Sequence, residues 1–145
     1  MKFSSALIIR TTGMAIALMV LECRADNDPP VYTGIIKPIL ANTCVSCHGE
    51  IKQKKKLRLD SLAAIMKGGK DGAVVVPGNV DKSDLIDRIT LDPKDDDHMP
   101  PQGKPQLTDQ QIKILTWWVQ SGVPGDVPLS TVKMPDDIKV AIGRR

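Results

Sequence analysis

The sequence predicts an all-α domain: short helices joined by long loops, with the first and last helices packed on each other. Three observations predict it. Apolar residues recur at helical spacing in four stretches, near residues 35–40, 57–66, 85–89 and 112–119. Three of these follow a residue suited to capping a helix N-terminus: Asp60 or Ser61, Asp81 or Ser83, and Thr108. The intervals between them carry glycine and proline, 11 of each in 145 residues, which interrupt regular structure.

Residues 1–25 read as a secretory signal and not as part of the fold. Lys2 and Arg10 precede an apolar stretch from Met14 to Leu21, and Cys23-Arg24-Ala25 supplies small residues before Asp26. The apolar run is short for a membrane span. Glu22 stands where a lipid-attachment sequence needs a small residue, which counts against a lipid anchor on Cys23. N-terminal or lipid anchoring is the lesser alternative to export into the periplasm. The remaining 120 residues, Asp26–Arg145, are expected to form one domain over 26–127 with an extension over 128–145.

Removing Lys2, Arg10 and Arg24 (three positive) and Glu22 (one negative) takes the formal charge from +3 to +1. The charge that remains is patchy. Lys52, Lys54, Lys55, Lys56 and Arg58 form a basic run, and Asp92, Asp95, Asp96 and Asp97 an acidic one. Such runs are usually solvated faces; on a protein that meets partners they can also steer docking. The basic run is short and the mature chain has one tyrosine, two tryptophans and no phenylalanine, so nucleic acid is not an expected partner. A monomer is expected.

Along the mature chain, Tyr32–Asn42 reads as the first helix, with Ile35, Ile36, Ile39 and Leu40 as its stripe. Pro38 is tolerated only in a first turn, so the helix either starts near Lys37 or kinks there. Gly34 or Ala41 could permit a close crossing with the last helix. Next comes Cys44-Val45-Ser46-Cys47-His48, two cysteines three apart with a histidine directly after the second. This is the attachment signature for a c-type haem. Each sulfur can form a thioether to one of two vinyl groups a fixed distance apart, and His48 can reach the iron. A bare CxxC also suits a thiol–disulfide pair or half of a zinc site. Zinc is short of donors, because beyond Cys23 only Cys44, Cys47, His48 and His98 qualify. The thiol reading lacks a strand-to-helix context and gives His48 no task. A disulfide would close a very short loop. Gly49 lets the chain turn away after the histidine.

Leu57, Leu59, Leu62, Ile65 and Met66 belong to a short helix ending at Gly68-Gly69. Met66 is a rival iron ligand there, although its place on a helix face favours a core position. Gly68–Gly78 reads either as a surface loop with one packed piece, Ala73–Val76, or as glycines that let backbone approach a haem edge. A helix through Leu85, Ile86 and Ile89 leads to Asp97-His98-Met99-Pro100-Pro101. Haem iron bound by His48 needs a sixth ligand or stays open. Met99, 51 residues after His48, has a soft neutral sulfur on a loop stiffened by two prolines. His98 is its rival, or else a surface histidine beside an acidic run; Met134 lies far out in the tail. Thr108 and Gln111 make a capping box for the last helix, with Ile112, Leu115, Trp118 and Val119 at helical spacing and Gly122 as its stop. At least one of Trp117 and Trp118 is expected inside. Val127, Leu129, Val132 and Met134 could strap across the domain, whereas Ile138–Arg145 reads as a loose basic tail.

These pieces together resemble a small class I cytochrome c, and within that group the planctomycete-type cytochrome c domain. They are Ile39-Leu40 before Cys44–Gly49, Leu57-Arg58-Leu59-Asp60, Gly68-Gly69, Val76-Pro77-Gly78 and Ser83 with Leu85-Ile86. They continue with Met99-Pro100-Pro101 and Leu107-Thr108 leading to Trp118 and Gly122. The resemblance spans about residues 32–124. It implies a cytochrome c fold around one covalent haem c on Cys44 and Cys47, iron ligands His48 and Met99, and an extracytoplasmic location. The expected function is single-electron transfer between redox protein donors and acceptors. Similar domains often front much larger proteins, and a chain standing alone favours a soluble carrier. No acid–base pair or nucleophile surrounds the motif, so no enzyme is expected. The alternative is a haem enzyme or a gas or redox sensor with an open or displaceable sixth position.

Overall fold

The computed structural model describes residues 28–143. The signal-segment expectation for residues 1–25, and the candidate anchor Cys23, lie outside them. Five short α-helices carry the described chain: α1 (Lys37–Thr43), α2 (Leu62–Lys67), α3 (Asp84–Thr90), α4 (Asp109–Gln120) and α5 (Asp136–Ala141). Among the described residues there are isolated β-bridges and no β-sheet. No described helix is long and apolar enough to cross a membrane.

The first helix resolves the Pro38 conflict by changing its winding. Val31–Ile36 forms a π-helical turn, and α1 continues from Lys37 with Pro38 in its first turn, where a missing N–H is harmless. Lys37 N–H donates to the Tyr32 carbonyl, five residues back. Ile36 and Leu40 are fully buried along the inner face.

α4 is the spine of the fold. Both arms of its capping box form: Gln111 N–H donates to Thr108 Oγ1 at 3.2 Å, and Thr108 N–H to Gln111 Oε1 at 2.9 Å. Trp117 and Trp118 are both buried, not just one of them. The indole N–H of Trp118 donates to the Pro124 carbonyl and that of Trp117 to the Lys133 carbonyl, which satisfies each buried donor. The main partner of α4 at the front of the chain is the π-helical turn, where the Tyr32 and Trp118 rings lie 6.2 Å apart. Neither expected crossing residue serves there. Ala41 is exposed, and a Cβ on Gly34 would meet Pro29, not α4.

The chain after Gly122 straps the domain as expected, and residues 138–143 are not the loose tail expected of them. Val31 N–H bonds to the Val127 carbonyl, Tyr32 N–H to Gly125 and Leu129 N–H to Pro29, so 125–129 straps the start of the domain. Leu129 is fully buried, and Ile138 of α5 packs against α4. Apolar residues spaced too irregularly to show a period still bury well when a folded surface is there to receive them.

Candidate functional site

Cys44, Val45, Ser46, Cys47 and His48 form one tight turn directly after α1. The Leu40 carbonyl accepts from both Cys44 and Val45 N–H, which ends the helix. The Cys44 carbonyl then accepts from Cys47 N–H at 3.1 Å and His48 N–H at 2.9 Å. Both cysteines are half-buried free thiols. Burial pushes the Cys44 thiol pKa up, partly offset by the contact of its sulfur with Thr43 Oγ1 at 3.3 Å. Gly49 is needed for space: a Cβ there would sit 2.5 Å from the Val45 carbonyl oxygen.

The turn is tied by its backbone to the segment that follows. Lys54 N–H donates to the Cys47 carbonyl and Leu59 N–H to the His48 carbonyl, the latter at 2.7 Å. Between them Lys55 and Lys56 both hold positive φ, 55° and 57°, uncommon for residues with a Cβ. His48 Nδ1 is buried there without a hydrogen-bond partner. Burial holds the imidazole pKa below its ordinary value, while the backbone of Lys54 and Leu57 pulls it back. Lys52 and Lys54–Lys56 are exposed around this loop.

The second candidate region follows α3. Met99 is half-buried, and its N–H donates to the Arg88 carbonyl at 3.0 Å. The Met99-Pro100 peptide is cis. Arg88 also reaches the loop with its guanidinium, bonding Asp97 Oδ1 at 2.9 Å while holding Asp84 on its own helix. His98 is not a surface residue. It is 6% exposed, with Nδ1 3.0 Å from the Leu91 carbonyl and Nε2 2.9 Å from Gln106 Oε1. The Gln106 amide nitrogen in turn donates to the Pro100, Pro101 and Lys104 carbonyls. Three carbonyls around that nitrogen fix which way the amide faces, so both His98 nitrogens face acceptors. A ring protonated at one nitrogen makes one of these bonds; protonated at both, it makes both.

A cavity of about 320 Å³ opens beside this loop, lined among others by Ile89, Leu91, His98, Met99, Leu107 and Ile112. None of its lining comes from the Cys44–His48 turn. Met66 is 43% exposed and so not the core residue its helix face suggests, whereas Met134 packs against the core. Among the described residues no three His, Cys, Asp or Glu side chains converge on one point, so the four-donor zinc set does not form.

Ser83 was a candidate cap for α3. It stands at the cap position, but its buried hydroxyl accepts from Val76 N–H and donates to the Asn79 carbonyl, closing the turn before the helix. Val74 and Val75 are buried beside it, as a surface loop with one packed piece requires. Gly68 makes a close approach to the Gly72 carbonyl. Sequence patterns did not single out Gln106, Arg88 or Tyr32. The Tyr32 hydroxyl is buried with no partner, and its pKa is raised to about 12 by burial and then by the nearby Asp60 and Asp126 charges.

Comparison with known proteins adds one finding. Residues 44–103 match the family model described as planctomycete cytochrome C, about two fifths of the chain. The match begins at Cys44 and ends beyond Met99, a narrower span than the resemblance drawn from sequence motifs. No curated protein and no solved structure matches.

Proposed function

We propose that the chain is a periplasmic, mono-haem c-type cytochrome that carries single electrons between redox proteins. Its observation of first weight is the turn Cys44–His48, which puts two free thiols and an imidazole on five consecutive residues at the start of the family match. The chain's residues fit the group on a second count. His48 Nδ1 is buried in the loop without a partner, beside the backbone of Lys54 and Leu57 where its N–H would find an acceptor with Nε2 on the iron.

Haem c supplies a one-electron Fe(III)/Fe(II) couple. Cys44 and Cys47 would hold it by adding their thiols across the two vinyl groups: an S–C bond forms, the thiol proton ends on the neighbouring carbon, and nothing leaves. His48 would ligate through Nε2 and Met99 through its sulfur. The role of the protein is to keep both ligands in place in both oxidation states and to keep water from the iron. His98 has both ring nitrogens directed at protein acceptors, which favours Met99 over it as the sixth ligand. The exposed lysines near the turn and the exposed aspartates of 92–97 are the surfaces on which charge could steer redox partners. We propose no enzymatic step.

The test is spectroscopic. Covalent haem should survive denaturation, and Cys47→Ala should weaken that attachment. The oxidised protein should show the weak near-infrared band of methionine-to-iron ligation, lost in Met99→Ala together with new access for carbon monoxide. A high-spin oxidised spectrum would sink the carrier reading. It would favour the alternative of a haem enzyme or sensor, for which the cavity beside Met99 leaves room for a displaceable sulfur.

A further inference from the structure

Two prolines after Met99 stiffen the chain, but they do not fix where the loop sits. The structure places a side-chain network at that point. His98, the residue before Met99, is buried and reaches back to the Leu91 carbonyl at the end of α3. Its other nitrogen meets Gln106, eight residues later. Much of Gln106 is exposed, yet its terminal amide gathers the Pro100, Pro101 and Lys104 carbonyls, at 3.0, 3.3 and 2.9 Å. Met99 therefore stands between two residues, His98 and Pro100, that are tied to the same amide. Separating them is costly chiefly at His98, which is buried and would lose its partner without regaining water in place.

We propose that His98 and Gln106 form a clamp that positions Met99, holding its loop so that the sulfur stays at the iron. Neither residue is a ligand; both act through Met99. This deepens the haem reading above and rests on it. The side-chain chemistry makes the clamp separable from a general effect on folding. A glutamine amide nitrogen can stand in for imidazole Nε2, so His98→Gln can keep the link to Gln106, while His98→Leu keeps none. Gln106→Met preserves length and removes both the acceptor and the donors.

The experiment uses the holoprotein and reads the near-infrared methionine band, the reduction potential and carbon monoxide association with the reduced form. Thermal unfolding of each variant serves as the folding control. Gln106→Met and His98→Leu should weaken the band and speed carbon monoxide association by about tenfold, the ratio expected when one buried hydrogen-bond contribution is lost. His98→Gln should return both readouts toward wild type. If Gln106→Met leaves band, potential and association rate unchanged, the clamp is overturned and the haem reading stands. The clamp is likewise overturned if His98→Gln behaves as His98→Leu does while Gln106→Met is silent. If the wild-type protein shows no methionine band, the Met99 assignment fails and the clamp fails with it.

Discussion

The Cys44–His48 turn and the Asp97–Lys104 loop are held in opposite ways. The first is fastened almost wholly by backbone. Cys44, Cys47 and His48 each contribute a carbonyl to a hydrogen bond, two of them across to the 54–59 segment. The second adds side-chain ties to the backbone bond of Met99 N–H on Arg88: His98 to Leu91, Gln106 to three carbonyls, Arg88 to Asp97. A backbone-held loop tolerates most substitutions but not a Cβ where two chains touch. A side-chain-held loop tolerates extra bulk at its surface but depends on a few polar heads. The difference also suits their proposed tasks. A covalent attachment turn must present three groups in one fixed order, whereas a loop carrying a single soft ligand needs only to keep one sulfur in reach.

The largest expected effect tests the backbone-held side. Gly49→Ala would bring a Cβ to 2.5 Å from the Val45 carbonyl oxygen and 2.7 Å from Val45 Cγ1. Relieving that clash means opening the turn, since the obstacle is backbone on one side. The cost should be about 3 kcal/mol, the upper part of the range for overpacking, measured by chemical denaturation of the holoprotein. Covalent haem yield should fall in parallel. A variant with full yield and unchanged stability would show that the turn is looser than its hydrogen bonds imply.

The same contrast explains what could be read from the sequence. The backbone-held turn was legible because its five residues follow one another. So was α4, whose capping box sits three residues apart and whose stripe runs at regular spacing. Pro38 announced a break, and the chain answers it with a π-helical turn, a variation in winding that apolar spacing does not encode. The clamp was not legible. His98 and Gln106 lie eight residues apart in a loop with no period, and a histidine beside three aspartates looks exposed until the fold buries it. In α5 the period is only one turn long, Ile138 with Ala141 and Ile142, too short to stand out beside the basic residues until α4 offers a surface to meet. Gly34 showed the reverse error. A glycine on a helix suggests a helix crossing, yet its missing Cβ makes room for Pro29.

Tyr32, packed on Trp118, gives the next effect in size. Its phenol is raised to about 12 from an ordinary 10.0, chiefly by burial. A group whose pKa is raised on folding adds stability that is complete below the unfolded value and lost as pH climbs to the folded one. Stability should therefore decline between pH 10 and about 12, by roughly 2–3 kcal/mol at the end of that window. Tyr32→Phe should flatten the decline. At neutral pH it should be neutral or stabilising by about 1 kcal/mol, because it removes a buried hydroxyl that has no partner. Denaturation midpoints of both proteins across the alkaline range decide it. A steeper alkaline loss in the Phe variant would mean that the phenolate is stabilised inside.

The Met99 loop has its own glycine, and it supplies the counterpart to Gly49. Gly103 has φ +80° and nothing within 4 Å of where a Cβ would stand. Gly103→Ala should cost about 1 kcal/mol, from backbone conformation alone. A loss equal to that of Gly49→Ala would erase the distinction between a crowded turn and an open one.

The smallest effect separates charge from the amide network within the Met99 loop. Arg88 touches that loop twice, through its backbone carbonyl on Met99 N–H and through its guanidinium on Asp97. Only the second is lost in Arg88→Ala. Its guanidinium, Asp84 and Asp97 are all more than a third exposed, so the paired charges are well screened and their loss should cost about 0.5 kcal/mol. At about 1 M salt the Debye length falls to about 3 Å, and the difference from wild type should shrink further. The methionine band should be nearly unchanged, because the carbonyl that receives Met99 N–H and the Gln106 amide both remain. If Arg88→Ala instead releases the sulfur as fully as Gln106→Met, and differs from wild type more at low salt than at high, the loop is held by its aspartates and their cation, and the neutral amide follows it.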